Sequence, residues 1–409
     1  MKKDVAILCQ YFYPEPISSA TLPTELAIGL RERGLSVGVL SGNPGSKRAV
    51  SYDKEINGVT IKRVTYATFN DKKKVGRILN FFTLFVAMLS KTNYLRGFKT
   101  IIVYSNPPIL PLIPYYLNKF FGNKFIFVSF DVYPDNALKM DLIKKGGVIH
   151  RLMNFINKRV YRKAHKVILL GSEMKDYVVE NGLAQTTKNL EVIPNWYSNE
   201  ASVVNQEIIN EEYIKIYEEN TFVVLYSGNM GLFQDMNTIL EGLLTYKNNS
   251  EILFIFCGHG TKMQEVKNYI EQHNINNAKV YGFLTGSEYA DVLKISDLCI
   301  VSLEQGVEGM GVPSKTYGYL AAGKPIIAIM SSKTDIAIDV LTYECGESIL
   351  QGDVQGLTNA IEQYKEDTVL KQKHSINAKK LYTTKYTKEM NIEKYYELII
   401  EKLPNSIRV

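Results

Sequence analysis

The sequence predicts an α/β protein of two Rossmann-like domains, each wound around a parallel sheet. Three observations predict it. Near the N-terminus, the apolar run Val5-Ala6-Ile7-Leu8-Cys9, a helical periodicity and the run Val37-Gly38-Val39-Leu40 form a β-α-β opening. Beyond a polar, charged stretch at 198–220, a second strand-and-helix series begins with Phe222-Val223-Val224-Leu225-Tyr226. In that series three loops follow strand-length runs: Gly228-Asn229, Gly258-His259-Gly260 and the segment 311–315. Ligands of such sheets bind at the carboxyl ends of the strands, so three loops there predict a nucleotide cradle more strongly than any one of them.

Val5 to Cys9 reads as a buried first strand, because an unbroken apolar run suits a strand covered on both faces. The loop from Tyr11 to Ala20 is rich in turn formers. Thr24 to Arg33 carries a helical pattern through Leu26, Ala27 and Leu30, stopped by Gly34. Val59 to Val64, Thr100 to Tyr104 and Lys124 to Phe130 continue the strand series, and Ile168 to Gly171 and Leu190 to Asn195 close the first half. Between them, Lys72-Lys73-Lys74 and Arg77 precede an apolar run from Ile78 to Leu89, followed by Lys91 and Arg96. About 12 apolar residues are too few to span a bilayer, which needs roughly 20. Two readings stay open: a helix buried on the first sheet, or an interfacial segment whose basic collar rests on anionic lipid. A second basic cluster runs from Lys139 to Lys166 and supports membrane affinity.

In the second half, Ile252 to Cys257, Val280 to Phe283 and Leu298 to Ser302 read as strands. The stretch Gly311-Val312-Pro313-Ser314-Lys315-Thr316-Tyr317-Gly318 then reads as a loop opening a short helix, which stops at Gly323-Lys324-Pro325 before the strand Ile326 to Ile329. Pro suits the first helical position, and free amides with one ammonium at a helix N-terminus attract an anion. An ordinary, well-capped βαβ connection is the alternative. A final helix is expected from about Ala378 to Lys402.

The 409 residues, 45% hydrophobic and 22% charged, suit a folded protein of two or three domains. A formal charge of +6 fits an anionic partner such as a nucleoside diphosphate or lipid surface, and excludes the dense basic patch of a nucleic-acid binder. Cys9, Cys257, Cys299 and Cys345 lie far apart and read as buried, reduced thiols of a cytoplasmic protein, with no zinc spacing. The N-terminus has Lys2 and Lys3 but no signal-peptide core.

At this point the chain resembles the family 4 retaining glycosyltransferases, which have the two-domain GT-B fold. The residues that carry the resemblance are Tyr13-Pro14-Glu15, Ile193-Pro194-Asn195-Trp196, Tyr226 to Gly231, Gly258-His259-Gly260, and Val312 to Lys315 through Ala321 to Pro325. Phe130-Asp131-Val132-Tyr133-Pro134-Asp135 is similar to a motif of bacterial surface-polysaccharide enzymes, the N-acetylfucosamine transferase type among them. The resemblance implies transfer of a sugar from a UDP-sugar to a polyprenyl-diphosphate-linked saccharide, with retention, without a bound metal, in a cleft between domains. It implies an acceptor domain at 1–197, a donor domain at 198–380 and a closing helix at 381–409 that packs back on the first domain, in an enzyme peripheral to the inner face of the cell membrane.

The leaving group is a nucleoside diphosphate, so its growing charge must be neutralised. Lys315 is the candidate for that work, with the amides around Ser314 and Thr316 assisting. Gly228, Asn229, Gly258, Gly260, Phe283, Val312, Pro313 and Tyr317 complete the donor candidates. Asp131 is the candidate for acceptor contact and Asp135 lies nearby, although both acids would also serve as helix caps. Two departures stand out. The Glu that typically binds ribose in this family falls at Gly318, and its partner at Met310, which leaves Glu308, or Glu304, as the acid for the donor sugar. Gly309 and Gly311 beside Glu308 would let the backbone approach a ligand. Ser18 and Ser19 stand where relatives have Gly-Gly and are diphosphate-contact candidates through their amides. Two rivals remain: another GT-B enzyme such as a nucleotide-sugar epimerase, which the Pro-Ser-Lys and Asp-Val-Tyr-Pro-Asp segments oppose, and a binding or scaffold protein that kept the fold but lost activity.

Overall fold

A computed structural model of the chain describes residues 2–44, 54–70, 74–198 and 207–401. Lys72 and Lys73 of the expected collar, 199–206 of the polar stretch and Lys402 lie outside the described residues.

In chain order the elements of the first half are β1 (Lys3–Cys9), α1 (Ser18–Glu32), β2 (Val37–Gly42), β3 (Glu55–Ile56), β4 (Val59–Val64), α2 (Lys74–Leu89), α3 (Thr92–Arg96), β5 (Phe98–Tyr104), α4 (Leu112–Phe121), β6 (Lys124–Ser129), α5 (Asp135–Lys139), α6 (Val148–Lys163), β7 (Lys166–Leu169), α7 (Ser172–Glu180) and β8 (Leu190–Val192). There follow α8 (Glu211–Glu218), β9 (Phe222–Asn229), α9 (Asn237–Thr245), β10 (Ile252–His259), α10 (Met263–Gln272), β11 (Ala278–Tyr281), α11 (Gly286–Ile295), β12 (Leu298–Ser302), α12 (Lys315–Ala321), β13 (Ile326–Ile329), α13 (Asp335–Thr342), β14 (Gly346–Ile349), α14 (Val354–Glu366), α15 (Thr368–Leu381), a π-helical turn at Tyr382–Tyr386 and α16 (Lys388–Ile400). Two compact units result. One comprises Met1–Pro194, Gly309–Gly311 and Lys388–Val409, the other Asn195–Glu308 and Val312–Thr387.

The first unit is built on an eight-stranded sheet in the order β3-β4-β2-β1-β5-β6-β7-β8, parallel except for the β3–β4 pair. β1 lies inside it, with Val5 opposite Val37 on one side and Thr100 on the other. Val5, Ala6, Ile7 and Leu8 are fully buried, as an unbroken apolar run flanked by helices on both faces must be. α1 packs on α16: the Ile392 side chain lies close over Gly29, and Arg33 Nε meets Glu393 Oε2 at 2.7 Å. That ion pair is partly exposed and adds at most about 1 kcal/mol; the apolar packing carries the docking.

The second unit is an all-parallel sheet in the order β11-β10-β9-β12-β13-β14. Its core holds Phe222, Val224 and Tyr226 of β9, Phe254 and Phe256 of β10, and Ile327 and Ile329 of β13. The β9–β10 register runs to the last residues, Gly258 opposite Gly228 and His259 opposite Asn229. The two strands therefore end level, and their loops emerge side by side.

Four expectations need correction. α1 begins at Ser18, not Thr24, and carries Pro23 inside it. The Thr24 hydroxyl both donates to the Ala20 carbonyl at 2.7 Å and accepts from the Tyr13 N–H at 3.0 Å, so the polar loop is tied to this turn. β11 starts two residues before the expected Val280. The single closing helix is two, broken at Thr387, whose backbone is extended. β14 was not foreseen, since Gly-Glu-Ser-Ile offers one aliphatic residue in four. All four cysteines are free and buried.

Candidate nucleotide and acceptor sites

In the second unit, β9 and β10 bring Gly228, Asn229, Gly258 and Gly260 together. Their backbones touch so closely that only glycine fits. A Cβ on Gly258, whose φ is +144°, would sit 1.9 Å from the Gly228 carbonyl oxygen, and one on Gly260 2.2 Å from that of Met230. Met230 N–H donates to the His259 carbonyl at 2.7 Å, and Lys262 N–H to the Met230 carbonyl at 2.8 Å, locking the two loops. The glycines thus serve loop against loop. Gly258→Ala is expected to cost about 3 kcal/mol or more and to lower the melting temperature by about 10 °C, since backbone rather than a flexible side chain must yield. Thermal melting checks this; a melting temperature equal to the parent's would contradict the packing.

Lys315 opens α12 and reaches this pair of loops. Its Cε is the nearest neighbour of the position a Gly228 Cβ would take, at 3.4 Å. The ammonium lies 3.5 Å from the centroid of the Tyr226 ring and 3.5 Å from the Asn229 carbonyl oxygen, which also accepts from the Tyr226 hydroxyl at 3.0 Å. Among the described residues no carboxylate pairs with Lys315. Burial pushes its pKa well below the usual lysine value. A partly desolvated cation held by a ring face and one long carbonyl contact is a charge that an anion would complete.

The rest of the Pro-Ser-Lys turn is more occupied than the sequence implies. Thr316 N–H and Tyr317 N–H donate to the Pro313 and Ser314 carbonyls, each at 3.3 Å, and the Thr316 hydroxyl donates to Pro313 at 2.8 Å. Thr316 is buried, while Ser314 is exposed. Tyr317 is 1% exposed with its ring 5.0 Å from that of Tyr386, so its side chain is core rather than lining. Pro313 is buried and Val312 half-buried. Phe283 is exposed beyond β11, edge-on to His259 at 5.3 Å between ring centroids.

Gly318 has a structural reason. A Cβ there would lie 3.3 Å from the Tyr197 ring, so a side chain in this buried place would press on Tyr197. Below it, the Ser227 hydroxyl lies 3.0 Å from the Tyr289 hydroxyl and 2.9 Å from that of Tyr319, a cluster that the sequence did not announce. Of the two candidate acids, Glu304 is paired with Lys262 at 3.2 Å, and Lys262 also donates to the Gln234 carbonyl at 2.8 Å. Among the described residues, Glu308 meets the Gln351 amide at 3.5 Å and pairs with no cation. Lys262 is thus a second cation beside the paired loops. Its place four residues after Gly258 was visible, but its partners come from two other loops.

Asp131, Ser18 and Ser19 belong to the first unit. Asp131 follows β6. Its Oδ1 accepts from Asn136 Nδ2 at 2.7 Å, and its N–H donates to the Ser105 hydroxyl at 3.2 Å. It caps no helix: the residue before α5 is Pro134, and no side chain caps that end. Burial lifts the Asp131 carboxyl to about 6, against the opposing Asn136 amide. Asp135 starts α5, is also raised by burial, and hydrogen-bonds Tyr177. In the same unit, Met310 accepts from the Val132 N–H at 3.0 Å, and a Cβ on Gly309 would strike Tyr177 at 2.5 Å. Gly309 therefore makes room for a protein side chain, not for the ligand the sequence suggested. Ser18 and Ser19 form the first turn of α1, with Ser18 exposed and no side-chain cap.

Residues 210–381, nearly all in the second unit, match the family described as Glycosyl transferases group 1. A Pseudomonas aeruginosa protein described as "Probable glycosyltransferase WbjE" is 29% identical over 262 residues, 63% of this chain and 63% of that protein. The chain thus matches less than two thirds of that relative's length. Among solved structures, HepE of Anabaena in complex with UDP and glucose superposes with a TM-score of 0.71 at 15% identity, over 98% of this chain and all of that one. Sucrose-phosphate synthase of Thermosynechococcus elongatus superposes with a TM-score of 0.72 at 13% identity, over 98% and 99%. These likenesses establish the GT-B fold, two Rossmann-like domains in one chain.

Proposed function

We propose that the protein is a retaining glycosyltransferase that moves a sugar, N-acetylated or deoxy, from a UDP-sugar to a lipid-linked saccharide in surface-polysaccharide synthesis. The observation that carries the reading is Lys315, a desolvated ammonium with no carboxylate partner among the described residues, set against two glycine loops at the carboxyl ends of β9 and β10. A diphosphate is the anion that such loops, backbone amides and one cation suit. The group 1 family match over the same residues and the UDP bound in the Anabaena structure support that choice.

In this reading the C1–O bond to the β-phosphate breaks and a C1–O bond to the acceptor forms on the same face. Lys315, rather than a metal ion, meets the charge on the departing UDP. Asp131, ionised above about pH 6, takes the hydrogen bond and then the proton of the acceptor hydroxyl. Glu308, which has no ion-pair partner among the described residues, contacts the donor sugar. The enzyme works at the inner face of the cell membrane, where a polyprenyl-diphosphate acceptor would lie.

A screen of UDP- and GDP-sugars with polyprenyl-diphosphate saccharides, read by mass spectrometry, tests the reading. A saccharide gained from one UDP-sugar is the expected result. Binding of UDP-sugars without turnover of any of them would instead favour the scaffold reading.

A further inference from the structure

We propose that the outer surface of α2, α4 and α6 in the first unit docks onto a bilayer of anionic phospholipid. This deepens the membrane placement above and locates it on particular helices.

The topology puts these helices on one face. The connections β4 to β5, β5 to β6 and β6 to β7 all step in one direction across the sheet, while β1 to β2 steps the other way. Right-handed crossovers then place α2, α4 and α6 together and α1 opposite, and α4 packs directly on α6.

All three helices turn apolar side chains to solvent. On α2, Leu84 and Met88 are buried, yet Ile78, Phe82, Val86 and Leu89 are exposed at helical spacing. The helix is apolar on both sides, one packed in the unit and one turned outward. α4 exposes Tyr116, Phe120 and Phe121, with Phe120 64% exposed. α6 exposes Val148, Leu152 and Phe155, and the same stripe continues as Arg159 and Arg162. A monomer in water gains nothing from such a surface.

Charge selects the occupant. Residues 72–130 contain no Asp or Glu, and neither do residues 142–172, so none of the three helices carries an acid. Cations sit among the exposed rings: Arg159 lies 3.3 Å from the Phe155 ring centroid, Arg96 3.9 Å from that of Phe121, and Lys119 5.4 Å from that of Phe120. Aromatic rings with Arg and Lys beside them match the headgroup level of a bilayer, where rings enter the acyl boundary and the cations meet phosphate. No helix of the described residues is long and apolar enough to cross a membrane, so the contact is interfacial. An acidic protein would satisfy the cations but would leave this many apolar side chains to be matched one by one.

The test is sedimentation of the full chain with phosphatidylcholine vesicles, with and without phosphatidylglycerol. Binding is expected only with phosphatidylglycerol and should weaken with salt. Changing Arg151, Lys158 and Arg162 together to Gln should weaken it about 100-fold, from three surface cations. Leu152→Ser with Phe155→Ser should also weaken it, and melting temperature and circular dichroism should stay unchanged in both variants, since the sites are exposed. Failure of the parent protein to bind either vesicle overturns the proposal, as does equal binding by the triple variant. A parent that ignores vesicles but dimerises through this face also overturns it. No donor or acceptor enters the measurement, so its failure leaves the transfer reading untouched, and failure of transfer leaves this surface standing.

Discussion

Lys315→Ala is expected to lower transfer by about 10²–10³-fold, the usual cost of removing one preorganised group that meets transition-state charge. The folded chain should survive the change, because Lys315 is a partly desolvated cation with no carboxylate partner among the described residues. Removing it also removes a desolvation cost, so the melting temperature without ligand should hold or rise. Sign matters here. The folded pKa lies well below the ordinary 10.5, so the unfolded chain binds the proton more readily. Lys315 therefore detracts from stability at neutral pH, and the deficit fades as pH rises toward 10.5. A bound diphosphate reverses this by favouring the ammonium, so Lys315→Ala should lose most of the thermal stabilisation that UDP confers. Kinetics and melting with and without UDP check both halves. Unchanged turnover in Lys315→Ala would remove the residue from the chemistry.

Asp131→Asn is expected to lower kcat/KM by about 10²–10⁴-fold, the range for a positioned acid or base. The pH profile is the sharper readout. Burial holds the Asp131 carboxyl at about 6, so kcat/KM of the parent should fall as pH drops through that value, and this limb should vanish in Asp131→Asn. Asn136→Ala deletes the amide that favours the ionised carboxylate and should move the limb to higher pH. The stability linkage separates this from misfolding. The unfolded carboxyl ionises near 3.8 and the folded one near 6, so the ionised group detracts from stability as pH rises through that window, fully so above it. Asp131→Asn escapes that deficit and should melt no lower than the parent at neutral pH. A parent profile flat through pH 6 would contradict the assignment.

The sheets were legible in the sequence because parallel strands buried on both faces are unbroken apolar runs. β12 was read residue for residue, Leu298 to Ser302, whereas β9 runs on through Gly228 and Asn229, which read as a loop. β14 was not, because its Gly, Glu and Ser are held by register against β13 rather than by pattern. The start of α1 was hidden by Pro23, which reads as a boundary until the Thr24 hydroxyl is seen bonded back to Ala20. At the candidate nucleotide site the glycine loops and Lys315 could be named from spacing, whereas their partners could not. Tyr317 follows Lys315 by two residues, and helix geometry turns it into the core. Glu304 and Lys262 are 42 residues apart, and only the folded loops pair them. Gly318 stands out in the sequence only as a missing acid, and the fold places the Tyr197 ring 3.3 Å from where its Cβ would be.

The central claim is that the loops after β9 and β10, with Lys315, hold a nucleoside diphosphate. Titration calorimetry of UDP at neutral pH tests it most directly. UDP is expected to bind the parent protein, and Lys315→Ala is expected to lose most of that affinity, because the ammonium set against the two glycine loops is gone. The absence of UDP binding, or equal affinity in Lys315→Ala, would contradict it.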